Sequence, residues 1–133
     1  MWAMHSAAEI VAHQFAEAIN AHDVSALCDL MTESHRFVDS LGTVVTGRET
    51  MRAGWKAYFG MVPDYAIAID ETFSDGPVVV MVGKAGGSYA PKGVQTAESR
   101  WETPAAFRVR VENGMVAEWR VYADNEPIRR LIG

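Results

Sequence analysis

Apolar residues recur at helical spacing in the first part of the chain and at strand spacing in the rest. Ser6-Ala7-Ala8-Glu9 has the spacing of a capping box, in which a hydroxyl and a carboxylate satisfy exposed N–H groups at a helix start. Ile10, Val11, Phe15, Ala18 and Ile19 recur at helical spacing, so residues 6 to about 21 are predicted as an amphipathic helix. Asp23 is placed to cap a second, shorter helix carrying Leu27, Leu30 and Met31. A β segment is expected at Arg36–Asp39, a turn at Ser40-Leu41-Gly42, and a second β segment at Thr43–Thr46. Gly47-Arg48-Glu49 opens a third helix with Met51, Trp55, Tyr58 and Phe59 on one face, and Pro63 ends it. From Tyr65 onward the period is two. Tyr65, Ile67 and Ile69 alternate with Ala66, Ala68 and Asp70, Asp75-Gly76 turns into Val78–Ser88, and Arg100–Val111 and Met115–Asp124 close the chain as strands. Three helices followed by mostly antiparallel strands make an α+β protein rather than a doubly wound parallel sheet.

Register in the last hairpin decides which side chains share a face. A three-residue loop Glu112-Asn113-Gly114, with Gly114 left-handed, pairs Val111 with Met115, Val109 with Ala117, and Phe107 with Trp119. Ala105, Phe107, Val109, Val111, Met115, Ala117, Trp119 and Val121 then form one apolar face, with Arg108 opposite Glu118 on the other. That register is the expectation.

Composition narrows the class. A chain of 133 residues, 49% hydrophobic, is expected to fold as one domain over positions 1–133. Four Trp, four Tyr and five Phe exclude a disordered polypeptide. The longest strong apolar run, Val78–Val82, is too short for a membrane helix, and Met1–His5 has no secretion-signal pattern. Cys28 alone forms no internal disulfide, so a cytoplasmic location is expected. The net charge of −5 argues against nucleic acid or an anionic membrane as partner. His5, His13, His22 and His35 lack zinc spacing, and Gly86-Gly87-Ser88 is not a phosphate loop. No metal or cofactor is called for.

Four stretches taken together carry a resemblance: Phe15–Asp23, Phe37–Gly42, Gly47-Arg48-Glu49, and Trp119–Tyr122 after Asn113-Gly114. They resemble the cone-shaped α+β superfamily of nuclear transport factor 2, ketosteroid isomerase, limonene epoxide hydrolase and the SnoaL-like polyketide cyclases. The resemblance implies a strongly bent sheet wrapped around about three helices, an apolar cone open at one end, and a homodimer through the outer sheet face. It places Asp39 where ketosteroid isomerase carries its general base. The tyrosine and protonated aspartate that make that enzyme's oxyanion hole fall on Phe15 and about Ala105 here, so steroid isomerisation of that kind is disfavoured. The last aspartate of the epoxide hydrolase triad falls on Val121, which disfavours that chemistry too.

Two roles stand open for Asp39. At the lip of an apolar cone its carboxylate suits removal and return of a proton beside a carbonyl group. Alternatively, it holds the Asp-Ser-Leu-Gly turn through backbone N–H groups. Indole N–H groups of Trp55, Trp101 and Trp119 and the hydroxyls of Tyr58 and Tyr89 are the donors available to an enolate. Phe15, Phe37, Trp55, Tyr58, Phe59, Trp101, Ala105, Phe107, Trp119 and Val121 are the candidate walls of a hydrophobic pocket, with core packing as the competing role for most of them. The expected function is a cofactor-free isomerase- or cyclase-like enzyme for a small hydrophobic carbonyl compound. The alternatives are a non-catalytic binder of small hydrophobic ligands and a dimeric interaction module.

Overall fold

The computed structural model describes residues 6–132. Helix α1 spans Ala7–Ala21, and Ser6 caps it as the spacing predicts: its Oγ accepts the Glu9 N–H at 3.1 Å. His22 closes the helix in the left-handed region, and Asp23 at once caps α2 (Val24–Asp29) through the Ala26 N–H at 3.0 Å. Strands β1 (Met31–Val38) and β2 (Val44–Thr46) follow, then α3 (Arg48–Met61). The rest comprises β3 (Ala66–Asp75), β4 (Val78–Ser88), β5 (Arg100–Glu112), β6 (Met115–Ala123) and a short α4 (Glu126–Ile132). The strands form one sheet in the order β2-β1-β6-β5-β4-β3, antiparallel throughout except for the parallel pair β1–β6.

Two elements differ from the sequence expectation. Met31 begins β1 rather than ending a helix, because the Leu30 carbonyl accepts the Val116 N–H at 2.6 Å and draws the chain beside β6. Long-range pairing here overrides a local apolar period that suits either element. Helix α4 was not expected at all. Its start signal is nevertheless in the chain, since the Asp124 carboxylate accepts the Glu126 N–H at 2.9 Å just ahead of Pro127.

The hairpin register also differs. Asn113 and Gly114 both have positive φ, 52° and 75°, so the loop is a two-residue turn with Glu112 opposite Met115 and Val111 opposite Val116. A bulge then restores the parity: Arg110 pairs with Glu118, Val109 with Trp119, and Phe107 with Val121. The buried face therefore keeps Ala105, Phe107, Val109, Val111 and Trp119 but takes Val116 in place of Met115 and Ala117. Glu118 lies across from Arg110, and Arg108 reaches it diagonally at 3.5 Å. Further register shifts interrupt β1 and β3, and bulges of this kind bend a sheet. At Gly83 a Cβ would collide with the Ala68 carbonyl, so this position tolerates only glycine while β3 and β4 stay paired.

Helix α1 packs on the face of β3–β6, and its Phe15 is fully buried with its ring 4.8 Å from Trp119 and 5.9 Å from His35. His35 is also fully buried. Its Nδ1–H donates to the Val116 carbonyl at 2.8 Å, a partner that can only accept, while Nε2 has no partner. Burial pushes the His35 pKa down, with the Val116 bond and Glu118 opposing in part. The unfolded chain takes up this proton near pH 6.5, before the native state does, so stability falls as pH drops through that value toward the lower native pKa. Thermal melts between pH 7 and 5 are expected to show this loss, with a slope of at most about 1.4 kcal/mol per pH unit for one proton. A His35→Gln variant is expected to flatten it.

Candidate functional site

Helix α3, the β1–β2 turn and the ends of β4, β5 and β6 enclose a hollow of about 540 Å³. The α3 side contributes Met51, Trp55 and Tyr58, spaced so that they share one helix face. Strand alternation supplies Trp101 and Thr103 from β5, and Trp119, Val121 and Ala123 from β6. Phe37, Val45, Tyr65 and Ala85 complete the apolar wall, and Asn125 and Arg129 of the α4 segment stand at its edge.

Five of the aromatic rings form a continuous chain around this space. Phe37 meets Trp55 edge-on at 5.8 Å, Trp55 meets Tyr58 at 6.4 Å, Tyr58 meets Tyr65 at 5.0 Å, and Tyr65 meets Trp101 at 6.1 Å. The first three contacts are edge-to-face and the last is tilted, and aromatic pairs of these kinds are favourable in themselves.

Asp39, half-buried, is on the lining at the end of β1. Its Oδ1 accepts the N–H groups of Leu41 and Thr43, each at 2.9 Å, and its backbone pairs with Thr43 and Gly42. Both the turn role and a place on the hollow therefore belong to the same residue. Among the described residues Oδ2 has no hydrogen-bond partner.

The donors around the hollow sort differently from the sequence expectation. Trp55 and Trp101 line the space, yet their Nε1 atoms are shut off from solvent and unpartnered, so ring carbon is what they turn toward a ligand. Tyr89 is off the lining. Tyr58 and Tyr65 are on it, and neither hydroxyl has a hydrogen-bond partner among the described residues. Burial pushes both phenol pKa values up, and Tyr65 is raised further by Tyr58, so both remain protonated donors. The formal charges on the lining are Asp39 and Arg129, and Arg129 contacts Glu126 of its own helix at 3.5 Å. Among the described residues no three His, Cys, Asp or Glu side chains cluster as metal ligands would. Among the described residues no helix is long and apolar enough to cross a membrane.

Of the residues singled out by sequence, Asp39, Phe37, Trp55, Tyr58, Trp101, Trp119 and Val121 come together on the lining. Phe15, Phe59, Ala105 and Phe107 are instead in the packed core. Phe59 stacks on His22 at 4.1 Å, turned away from the hollow, while Ala105 and Phe107 lie further along β5 than the stretch that lines it. Among the lining residues that sequence reading missed are Met51, Tyr65, Thr103 and Ala123. Each had a signal: Met51 precedes Trp55 by four, Tyr65 shares parity with Ile67, Thr103 with Trp101, and Ala123 with Val121. Cys28 is buried, with its thiol pKa raised by burial, and His13 and His22 bond Thr72 Oγ1 at 2.9 Å and the Tyr65 carbonyl at 2.7 Å. His5 lies outside the described residues.

Comparison with known proteins adds the context. The model of a family described as a SnoaL-like domain matches residues 12–119. No curated protein sequence matches. Among solved structures, a candidate SnoaL-like polyketide cyclase from Shewanella denitrificans OS-217 superposes with a TM-score of 0.82 at 17% identity, covering 96% of this chain and 98% of that one. A candidate polyketide cyclase from Xanthomonas campestris pv. campestris gives 0.78 at 15% identity, covering 89% and 90%. A hypothetical protein with a ketosteroid isomerase-like fold from Catenulispora acidiphila DSM 44928, solved in complex with trimethylamine, gives 0.72 at 22% identity, covering 84% and 83%. At these identities the likeness is one of fold.

Proposed function

The chain belongs to the SnoaL-like domain family, and from that premise we propose that it is a cofactor-free isomerase- or cyclase-like enzyme acting on a small hydrophobic carbonyl compound. The observation that carries this reading is a single carboxylate, Asp39, on the wall of an otherwise mainly apolar hollow. The candidate polyketide cyclases of the same fold support it. In the proposed reaction Asp39 Oδ2 removes a proton from the carbon next to the substrate carbonyl. The enolate oxygen accepts hydrogen bonds from the neutral phenols of Tyr58 and Tyr65. Protonated Asp39 then returns the proton to carbon; in a substrate with a second carbonyl, the enolate carbon instead attacks that carbonyl carbon, its C=O π bond opens, and the alkoxide so formed takes the proton from Asp39. The apolar walls exclude water and hold the substrate in register.

Exchange of substrate α-protons with D2O, followed by NMR over a panel of enolisable ketones, tests the reading. Enzyme-dependent exchange is expected for at least one apolar ketone of a size the hollow holds; none across the panel would overturn it. Tyr58→Phe is expected to slow exchange about 10²-fold, the usual cost of one oxyanion donor, with substrate affinity nearly unchanged. Affinity and rate are separated by titration and saturation kinetics.

A non-catalytic binder is the second reading. The two N–H bonds to Asp39 Oδ1 favour it, because they give the carboxylate a structural task whether or not a proton moves. Ligand-dependent quenching of Trp fluorescence without proton exchange is its signature. A second copy of the chain is the proposed macromolecular partner, through the outer sheet face, where Phe73, Val80, Arg108 and Arg120 run side by side across four strands.

A further inference from the structure

The lining has a chemical bias that an apolar carbonyl compound alone does not use. Six aromatic side chains face the hollow: Phe37, Trp55, Tyr58, Tyr65, Trp101 and Trp119. Two of the three indoles keep their N–H groups shut away, so they offer ring carbon rather than hydrogen-bond donors. Aromatic faces carry partial negative charge, and the formal charge nearest them in sequence and on the wall is the carboxylate of Asp39, beyond Phe37 at the end of β1. A neutral apolar ligand gains only contact area from such walls. An anion can accept from the Tyr58 and Tyr65 hydroxyls but is repelled by Asp39, and its cationic contact, Arg129, is already 3.5 Å from Glu126. A soft cation gains from the Asp39 carboxylate and from each ring face it lies against.

We propose that the hollow binds a tertiary or quaternary alkylammonium group, with Asp39 countering its charge and the aromatic walls enclosing its methyl groups. A quaternary nitrogen has no N–H to satisfy, and the single N–H of a protonated tertiary amine can be accepted by Asp39 Oδ2, so both suit walls that are otherwise mainly apolar. Pockets of about 300–1,000 Å³ take drug-sized molecules, so the hollow has room for a hydrophobic remainder beyond the ammonium head. The inference rests on the hollow being the ligand site but not on Asp39 acting as a base.

Calorimetry on the wild-type protein with choline and with 3,3-dimethylbutan-1-ol tests it directly. The two probes have the same shape and differ in replacing the positive nitrogen by carbon. Choline is expected to bind at least about tenfold more tightly, in keeping with cation–π attraction in a partly desolvated site. The preference is expected to shrink several-fold in Asp39→Asn and again in Trp101→Leu. Equal affinity for the two probes, tighter binding of the alcohol, or no choline binding at millimolar concentration would each overturn the proposal. Because both probes are read on the unmutated protein, a variant that misfolds does not decide the outcome. The proton-exchange assay stands apart: exchange without choline preference sinks this inference alone, and choline preference without exchange sinks only the catalytic reading.

Discussion

Asp39→Asn is expected to slow α-proton exchange about 10³-fold, the middle of the range a positioned general base supplies, while the melting temperature hardly moves. The reason lies in how the carboxylate divides its work. Oδ1 holds the turn by accepting the Leu41 and Thr43 N–H groups, and the amide oxygen of an asparagine in the same place accepts both. The two turn bonds lose their charge assistance, a small cost at this half-exposed site, and the second oxygen changes from a base to an amide nitrogen. Asp39→Ala separates the two tasks from the other side. It removes both turn bonds, which at a half-exposed site cost about 1 kcal/mol each, as well as the base. The expected order is therefore equal loss of exchange in the two variants, with loss of stability only in the alanine. Chemical denaturation with parallel exchange measurements checks it. Full exchange in the asparagine variant would leave Asp39 as a turn residue and move the function to the binding reading.

The helices were legible because their caps and faces are local. Ser6, Asp23 and the Met51–Trp55–Tyr58 stripe need nothing distant to state where an element begins or which side it buries. Strand parity was legible in part for the same reason: Trp101 in β5 and Trp119 and Val121 in β6 lie on the hollow, whereas the Met115–Ala117 stretch does not follow the expected parity. What failed was each feature set by a partner far along the chain. Met31 is a strand residue because the Val116 N–H, far along the chain, donates to the carbonyl of neighbouring Leu30. The bulge beyond Val116 leaves no mark in an Ala-Glu dipeptide, so a plain three-residue loop accounted for the parity equally well. The division between core and hollow was likewise hidden. Phe107 and Trp119 are each 1% exposed and both read as core by hydrophobicity, and only where α1 covers the sheet decides that Trp119 also borders the hollow while Phe107 does not.

That division gives the largest stability effect. Phe15→Ala is expected to lower the unfolding free energy by about 4 kcal/mol, as removal of a fully buried phenyl ring does when its surroundings cannot collapse. Collapse is hindered here because Phe15 fills the space between the Trp119 ring and the His35 ring, and Trp119 is itself held from another side by Phe107 at 5.2 Å. Trp119 stands between the vacated space and the hollow, so ligand affinity is expected to change far less than stability. Phe37→Ala is expected to behave in the opposite sense. Phe37 is only partly buried, and its ring abuts Trp55 on the lining, so its loss weakens ligand binding more than folding. Urea denaturation and ligand titration on the two variants give four numbers whose pattern decides the matter. A Phe15 variant that unfolds normally but binds poorly would place that ring on the wall of the site, and with it the boundary between core and hollow one helix closer to α1.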